Sequence, residues 1–192
     1  MVDMERLDRL CGDRSGSALI RNRLAEWGLD IDVFDYYEYL QGKGKIDHGV
    51  ISALTQLKII DALYQQKNPS RRHGIFQVDG ADFNEDIFEQ DIVTACSSIF
   101  IHNIDPFFPG FSDQIDFQRS PLPFILVFCD IFQEWDRYAE HRPVYSGHLF
   151  SIECVTASIS AKVPSKIEKQ MAEQLSKKLK GLTVVVNDSK VI

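Results

Sequence analysis

The sequence predicts a mostly helical bundle over residues 1–143, carrying a small C-terminal β-α-β appendage over residues 144–192, α+β overall. Three observations carry this. Apolar residues recur at helical spacing through most of the first segment. After Pro143 the character changes, and β-branched residues begin to alternate with polar ones. Between them lies the most apolar stretch of the chain, Pro123 to Phe132, interrupted by a single acid, Asp130. That stretch is apolar on nearly all sides, which predicts a central helix.

The elements follow in order. Residues 1–12 form a short helix with Met4, Leu7 and Leu10 on one side, broken by Asp13-Arg14-Ser15-Gly16. Ser17 is placed to cap a second helix that runs to about Trp27, where Gly28 ends it. A third begins near Asp30 and carries Phe34, Tyr37 and Leu40; Gly42-Lys43-Gly44-Lys45 is a loop. Asp47 is an N-cap for a helix from His48 to Tyr64 with Val50, Ala53, Leu54, Leu57 and Ile60 at helical spacing. Residues 67–83 are polar, broken by Pro69, Gly74 and Gly80, and read as a loop holding one short extended piece at 74–78. A fifth helix spans about Asn84 to Ile104 and stops at Asp105-Pro106. The aromatic run Phe107, Phe108 and Phe111, with Trp135, can line a ligand pocket, and reads rather as a plug at the end of the core. Ser120-Pro121 opens a sixth helix, with proline at a tolerated first-turn position, running to about Tyr138.

In the appendage, Leu149 to Val163 reads as one strand with Val155, Ala157, Ile159, Ala161 and Val163 on one face. Ser165 caps a helix carrying Ile167, Met171, Leu175 and Leu179, and Thr183 to Asn187 is a second strand. The pair is either a parallel crossover or an antiparallel pair crossed by the helix. Two strands are marginal alone, so the appendage must pack on the bundle or pair with another chain, as in a homodimer or with a partner protein.

Composition narrows the function. Hydrophobic residues are 44% and charged residues 26% of the 192, ordinary for a globular chain, and thirteen Phe predict an aromatic-rich core. The net charge of -7 argues against a nucleic-acid footprint, which needs clustered Lys and Arg. Lys166, Lys169, Lys177, Lys178 and Lys180 do cluster, and read as a solvated face. None of the cysteines Cys11, Cys96, Cys129 and Cys154 forms a Cys-x-x-Cys pair, and the last three lie in apolar segments as small buried hydrophobes. The charged N-terminus and the absence of a long apolar run predict a cytoplasmic protein with reduced thiols and no membrane span.

Three elements can carry chemistry: Asp47-His48-Gly49 at a helix start, Ile101-His102-Asn103 at a helix end, and Asp130 inside the apolar stretch. A carboxylate in such surroundings is normally paired, protonated or metal-bound, because an isolated buried charge costs several kcal/mol. Imidazole and carboxylate on separate helices are how helical bundles build metal sites, and this donor set suits one divalent transition ion: Mn, Fe, Co, Ni or Zn. Each residue also has a structural reading: His48 as a helix-start residue, His102 as a satisfied helix-end histidine, and Asp130 as an acid bonded to either imidazole. Glu134, at i+4 from Asp130, is a candidate general base or supporting carboxylate. Arg71-Arg72-His73 reads as a solvated loop that can grip phosphate, and Ser97-Ser98 lacks the context of a serine hydrolase nucleophile.

His48-Gly49 near a helix start, His102-Asn103 at a helix end and the run Leu122 to Asp130 together resemble the HD-domain superfamily of metal-dependent phosphohydrolases, over roughly residues 30–140. The resemblance implies a helical bundle holding one or two divalent metals that activate water, with His48 as the first His, His102 as the dyad His or an additional His ligand, Asp130 as the final Asp and a catalytic residue beside the candidate base Glu134, and a nucleotide or other phosphorylated small molecule as substrate. The chain departs from the family pattern at one point. It has no His-Asp dyad; His102-Asn103 stands there, and Asn is a neutral, weak ligand where the family supplies a charge. The resemblance therefore implies a degenerate member serving as a regulatory or ligand-binding scaffold, with metal-dependent phosphohydrolase as the alternative.

Overall fold

The computed structural model describes residues 3–10, 14–67, 76–78, 81–133, 152–155, 158–164, 173, 175–180 and 182–187. It is mostly helical. The helices are α1 (Met4–Asp8), α2 (Gly16–Glu26), α3 (Val33–Gly42), α4 (His48–Lys67), α5 (Glu85–Ile87), α6 (Val93–Ile101) and α7 (Pro121–Gln133), with a π-helical turn at Phe88–Ile92 joining α5 to α6. The local chemistry explains the boundaries. Asp3 accepts from the Arg6 N–H at the start of α1. Ser15, two residues earlier than expected, accepts from the Ala18 N–H and caps α2. Asp32 accepts from the Phe34 and Asp35 N–H groups at the start of α3. Gly28 closes α2 in the left-handed region (φ 85°), and the Leu29 N–H reaches back to the Leu24 carbonyl at 2.9 Å, a conformation a side chain resists. The Asn84 side chain accepts from the Ile87 N–H at 2.8 Å where the fifth predicted helix begins.

The core forms where α2, α4 and α6 pack together, with α7 against α6. Ile20, Leu24, Tyr36, Leu54, Leu57, Phe88, Phe100 and Phe124 are buried at its centre. The aromatic loop after α6 is a partial plug: Phe108 is buried and Phe111 packs on the core, but Phe107 stays exposed. Helix α7 is not central. Phe124 and Val127 are buried, whereas Leu122, Ile125 and Cys129 on other faces are exposed. Cys129 is thus a surface thiol, not the buried one expected. Cys96 is buried, and burial pushes its thiol up to about 11. The side chain of Cys154 lies outside the described residues.

The strands differ more from expectation. The polar segment before α5 contains a hairpin, with β1 (Phe76–Val78) antiparallel to β2 (Ala81–Phe83). The strand expected over Leu149–Val163 is two, β4 (Ile152–Val155) and β5 (Ser158–Pro164), antiparallel with Val155 opposite Ser158. Strand β7 (Leu182–Asn187) runs parallel to β5, giving a three-stranded sheet in the order β4-β5-β7. A further two-residue parallel pair joins β3 (Ile115–Asp116) to β6 (Leu179–Lys180). This pair fastens the C-terminal segment to the bundle. Leu175 and Leu179 are buried in the same core cluster as the bundle residues, and Lys180 pairs with Asp116 at 3.3 Å. Among the described residues, no helix is long and apolar enough to cross a membrane.

Candidate functional site

His48 opens α4 and His102 directly follows α6, so the packing of these two helices decides whether the imidazoles meet. Gly49 makes the close approach possible. A Cβ at this position would stand 2.8 Å from the Ile99 carbonyl oxygen and 3.2 Å from that of Phe100, both in the last turn of α6. The two rings consequently meet edge to face, with centroids 5.0 Å apart and Nε2 atoms 3.1 Å apart. The Nδ1 of His102 lies 2.5 Å from the Ile99 carbonyl, a contact only an N–H can make. That assigns a proton to Nδ1; in the neutral ring the His102 Nε2 then accepts from the His48 Nε2.

Beside the pair lies a denser network. Asp47 is buried, and its two carboxylate oxygens accept from the Gly49 N–H at 2.6 Å and from the Tyr36 hydroxyl at 3.0 Å. The Tyr36 oxygen in turn accepts from the Asp105 N–H at 3.0 Å. Asp105 receives the Tyr39 hydroxyl at 3.1 Å, Lys43 at 3.0 Å and the Phe107 N–H at 3.0 Å. Burial pushes the Tyr36 phenol well above its ordinary value, and the negative charge of Asp47 adds to this. For Asp105, burial works to raise the carboxyl. The Phe107 N–H, Lys43 and Tyr39 outweigh it and hold the group below the usual carboxylate range.

A depressed carboxyl contributes stability above its unfolded value of about 3.9 and loses it as pH falls through the folded value. Asp105→Asn is therefore expected to lower Tm by about 2–4 °C at pH 7, a modest effect because Lys43 is solvated. The difference should begin to shrink at about pH 4 and close only as pH falls through the lower folded value. Thermal melts of both proteins from pH 3 to 8 read this directly, and a gap independent of pH would mean the carboxylate charge is not the cause.

The expected convergence is realised in part. His48 and His102 come together. Asp130 is half-buried on the wall of a neighbouring cavity of about 510 Å³, shared with Tyr36, Asp47, Asn103 and Asp105. Neither imidazole belongs to that wall. Among the described residues, no group of three His, Cys, Asp or Glu side chains is placed to hold a metal ion. Two imidazoles alone fall short of the three protein ligands of a catalytic zinc-type site. Glu134, Trp135 and the Arg71-Arg72-His73 trio lie outside the described residues. Sequence reasoning missed Tyr36, Lys43 and Asp105, whose roles arise from contacts between α3 and the loop after α6 and leave no local pattern. No protein-family model, curated protein or solved structure matches this chain.

Proposed function

We propose that the protein is a degenerate HD-domain-like helical module that acts as a ligand-binding scaffold rather than a hydrolase. One observation carries the reading: the two imidazoles that the resemblance assigns to a metal are engaged with each other and with a backbone carbonyl, and the acid beside them, Asp47, is taken up by the fold. The His102 Nδ1 is occupied by a backbone carbonyl, its Nε2 by His48, and both Asp47 oxygens by Tyr36 and Gly49. A network satisfied in this way rigidifies a core, and leaving one partner unmade is costly. The neighbouring cavity has the volume of a small-molecule site and mixes charged and apolar walls. On this reading Asp130 recognises ligand and is not a catalytic acid. Asp130→Asn then changes ligand affinity and changes the melting temperature only slightly.

A metal-dependent phosphohydrolase is the second reading, and a specific distance favours it. Ligands about 2.0–2.1 Å from a tetrahedral ion stand about 3.3 Å apart, close to the 3.1 Å between the His48 and His102 Nε2 atoms. The two readings part in one experiment. Protein purified without a His-tag is assayed for bound transition metal, for a Tm change on adding Mn or Ni, and for release of phosphate from a generic ester. The scaffold reading expects substoichiometric metal, an unchanged Tm and no turnover. About one equivalent of metal, together with turnover abolished by Asp130→Asn, would overturn it.

A further inference from the structure

The basic cluster near the C-terminus reads as a solvated face in the sequence; two of its described members, Lys177 and Lys178, line the cavity. Lys177 and Lys178 stand on the same wall as Lys45 and Asp130. The segment is held there by several independent contacts. Leu175 and Leu179 are buried, β6 pairs with β3, and the Gln114 side chain donates to the Ser176 carbonyl. Lys177 lies over the Phe107 ring with its ammonium 4.4 Å from the centroid, which fixes the cation at the cavity edge. Lys43, by contrast, is engaged by Asp105. Lys45 and Lys177 line the cavity and form no ion pair among the described residues, so neither cation is held by a fixed carboxylate partner.

We infer that Lys45 and Lys177 form an anion-recognition edge for a small molecule that carries a phosphate monoester on a hydroxyl-bearing body. The inference rests on the scaffold reading for the use of the cavity, and extends it by making the C-terminal segment part of the site. The two ends of the ligand are set by the two chemistries of the wall. Ammonium groups donate charge-assisted hydrogen bonds to phosphate oxygens. Asp130 and Glu173, also on the wall, accept from hydroxyls and disfavour a molecule that is anionic throughout.

Ribose 5-phosphate and ribose serve as probes, titrated calorimetrically into the full chain at low salt. Wild type is expected to bind ribose 5-phosphate at least tenfold more tightly than ribose. Lys45→Met and Lys177→Met should each weaken phosphate binding by about tenfold and leave ribose binding alone. Lys180→Met removes the same charge from the same segment, where Lys180 pairs with Asp116 outside the cavity, and should stay within about twofold of wild type. The inference is overturned if ribose 5-phosphate binds no better than ribose. It is equally overturned if both cavity variants bind like wild type, or if Lys180→Met is as damaging as they are. Free phosphate released during the titration would instead sink the scaffold reading and leave the lysine assignment standing.

Discussion

Tyr36→Ala is expected to destabilise the protein by about 3–5 kcal/mol, the range for truncating a buried aromatic. The ring is fully buried, packs edge-on against Phe100 and Phe108 at centroid distances of 5.7 and 5.1 Å, and stacks on Tyr39. Its hydroxyl also joins three parts of the chain, α3, the start of α4 and the loop after α6, through Asp47 and the Asp105 N–H. Tyr36→Phe separates the two contributions. It keeps the packing and strips one partner from a buried carboxylate and one from a backbone N–H, which costs about 1–3 kcal/mol. The pH dependence identifies the hydroxyl as the cause. A phenol whose folded pKa is raised contributes stability below its unfolded value of about 10 and loses it as pH climbs beyond. Urea unfolding at pH 7 and at pH 10.5 should therefore show wild type losing stability toward Tyr36→Phe at the higher pH. A Phe variant as stable as wild type at pH 7 would mean the Asp47 network contributes nothing to the fold.

The helical framework was legible because each helix carries its own signals. The cap at Asp47, the helix start at Asn84, the left-handed Gly28 and the proline after Ser120 all act within a few residues, whereas the Asp32 cap was passed over for a start near Asp30. The strands were read less well. Asp79-Gly80, the dipeptide favoured in two-residue hairpins, sits between the paired segments of β1 and β2, and its glycine was read only as a breaker. Thr156-Ala157 offers no such cue, so the alternation ran unbroken from β4 into β5 and concealed the hairpin. The apolar wrap of α7 misled for a different reason. An all-round apolar helix is normally buried, but Leu122 and Ile125 remain near half exposed, 46% and 49%. At the candidate site, His48 and His102 were expected to converge with Asp130 as a donor set; the imidazoles do meet, because the helices they flank pack together, and Asp130 does not join them. The Tyr36–Asp47–Asp105 chain was not, since hydrogen bonds between residues 11 and 69 positions apart leave no periodic trace.

Gly49→Ala tests the contact on which the imidazole pair depends. The added Cβ would press on the Ile99 carbonyl oxygen at 2.8 Å and on the Asp47 Oδ1 at 2.9 Å. The first of these is the acceptor that orients the His102 ring, and the second is the oxygen that receives the Gly49 N–H. Backbone cannot swing aside as a flexible side-chain end does, so α4 must move away from α6. Overpacking of this kind costs about 1–3 kcal/mol, despite the gain of roughly 0.5–1 kcal/mol that alanine normally brings over glycine within a helix. Gly42→Ala supplies the control, because a Cβ there meets nothing within 4 Å. That variant should be neutral or gain about 0.4–1 kcal/mol from the reduced freedom of the unfolded chain. Denaturant unfolding measures both, and the ring-nitrogen NMR shifts of His102 report whether Nδ1 keeps its proton on the carbonyl. If Gly49→Ala matches Gly42→Ala in stability and leaves those shifts unchanged, the helices are not in the tight contact that brings the two imidazoles together, and the structural account of the pair fails with it.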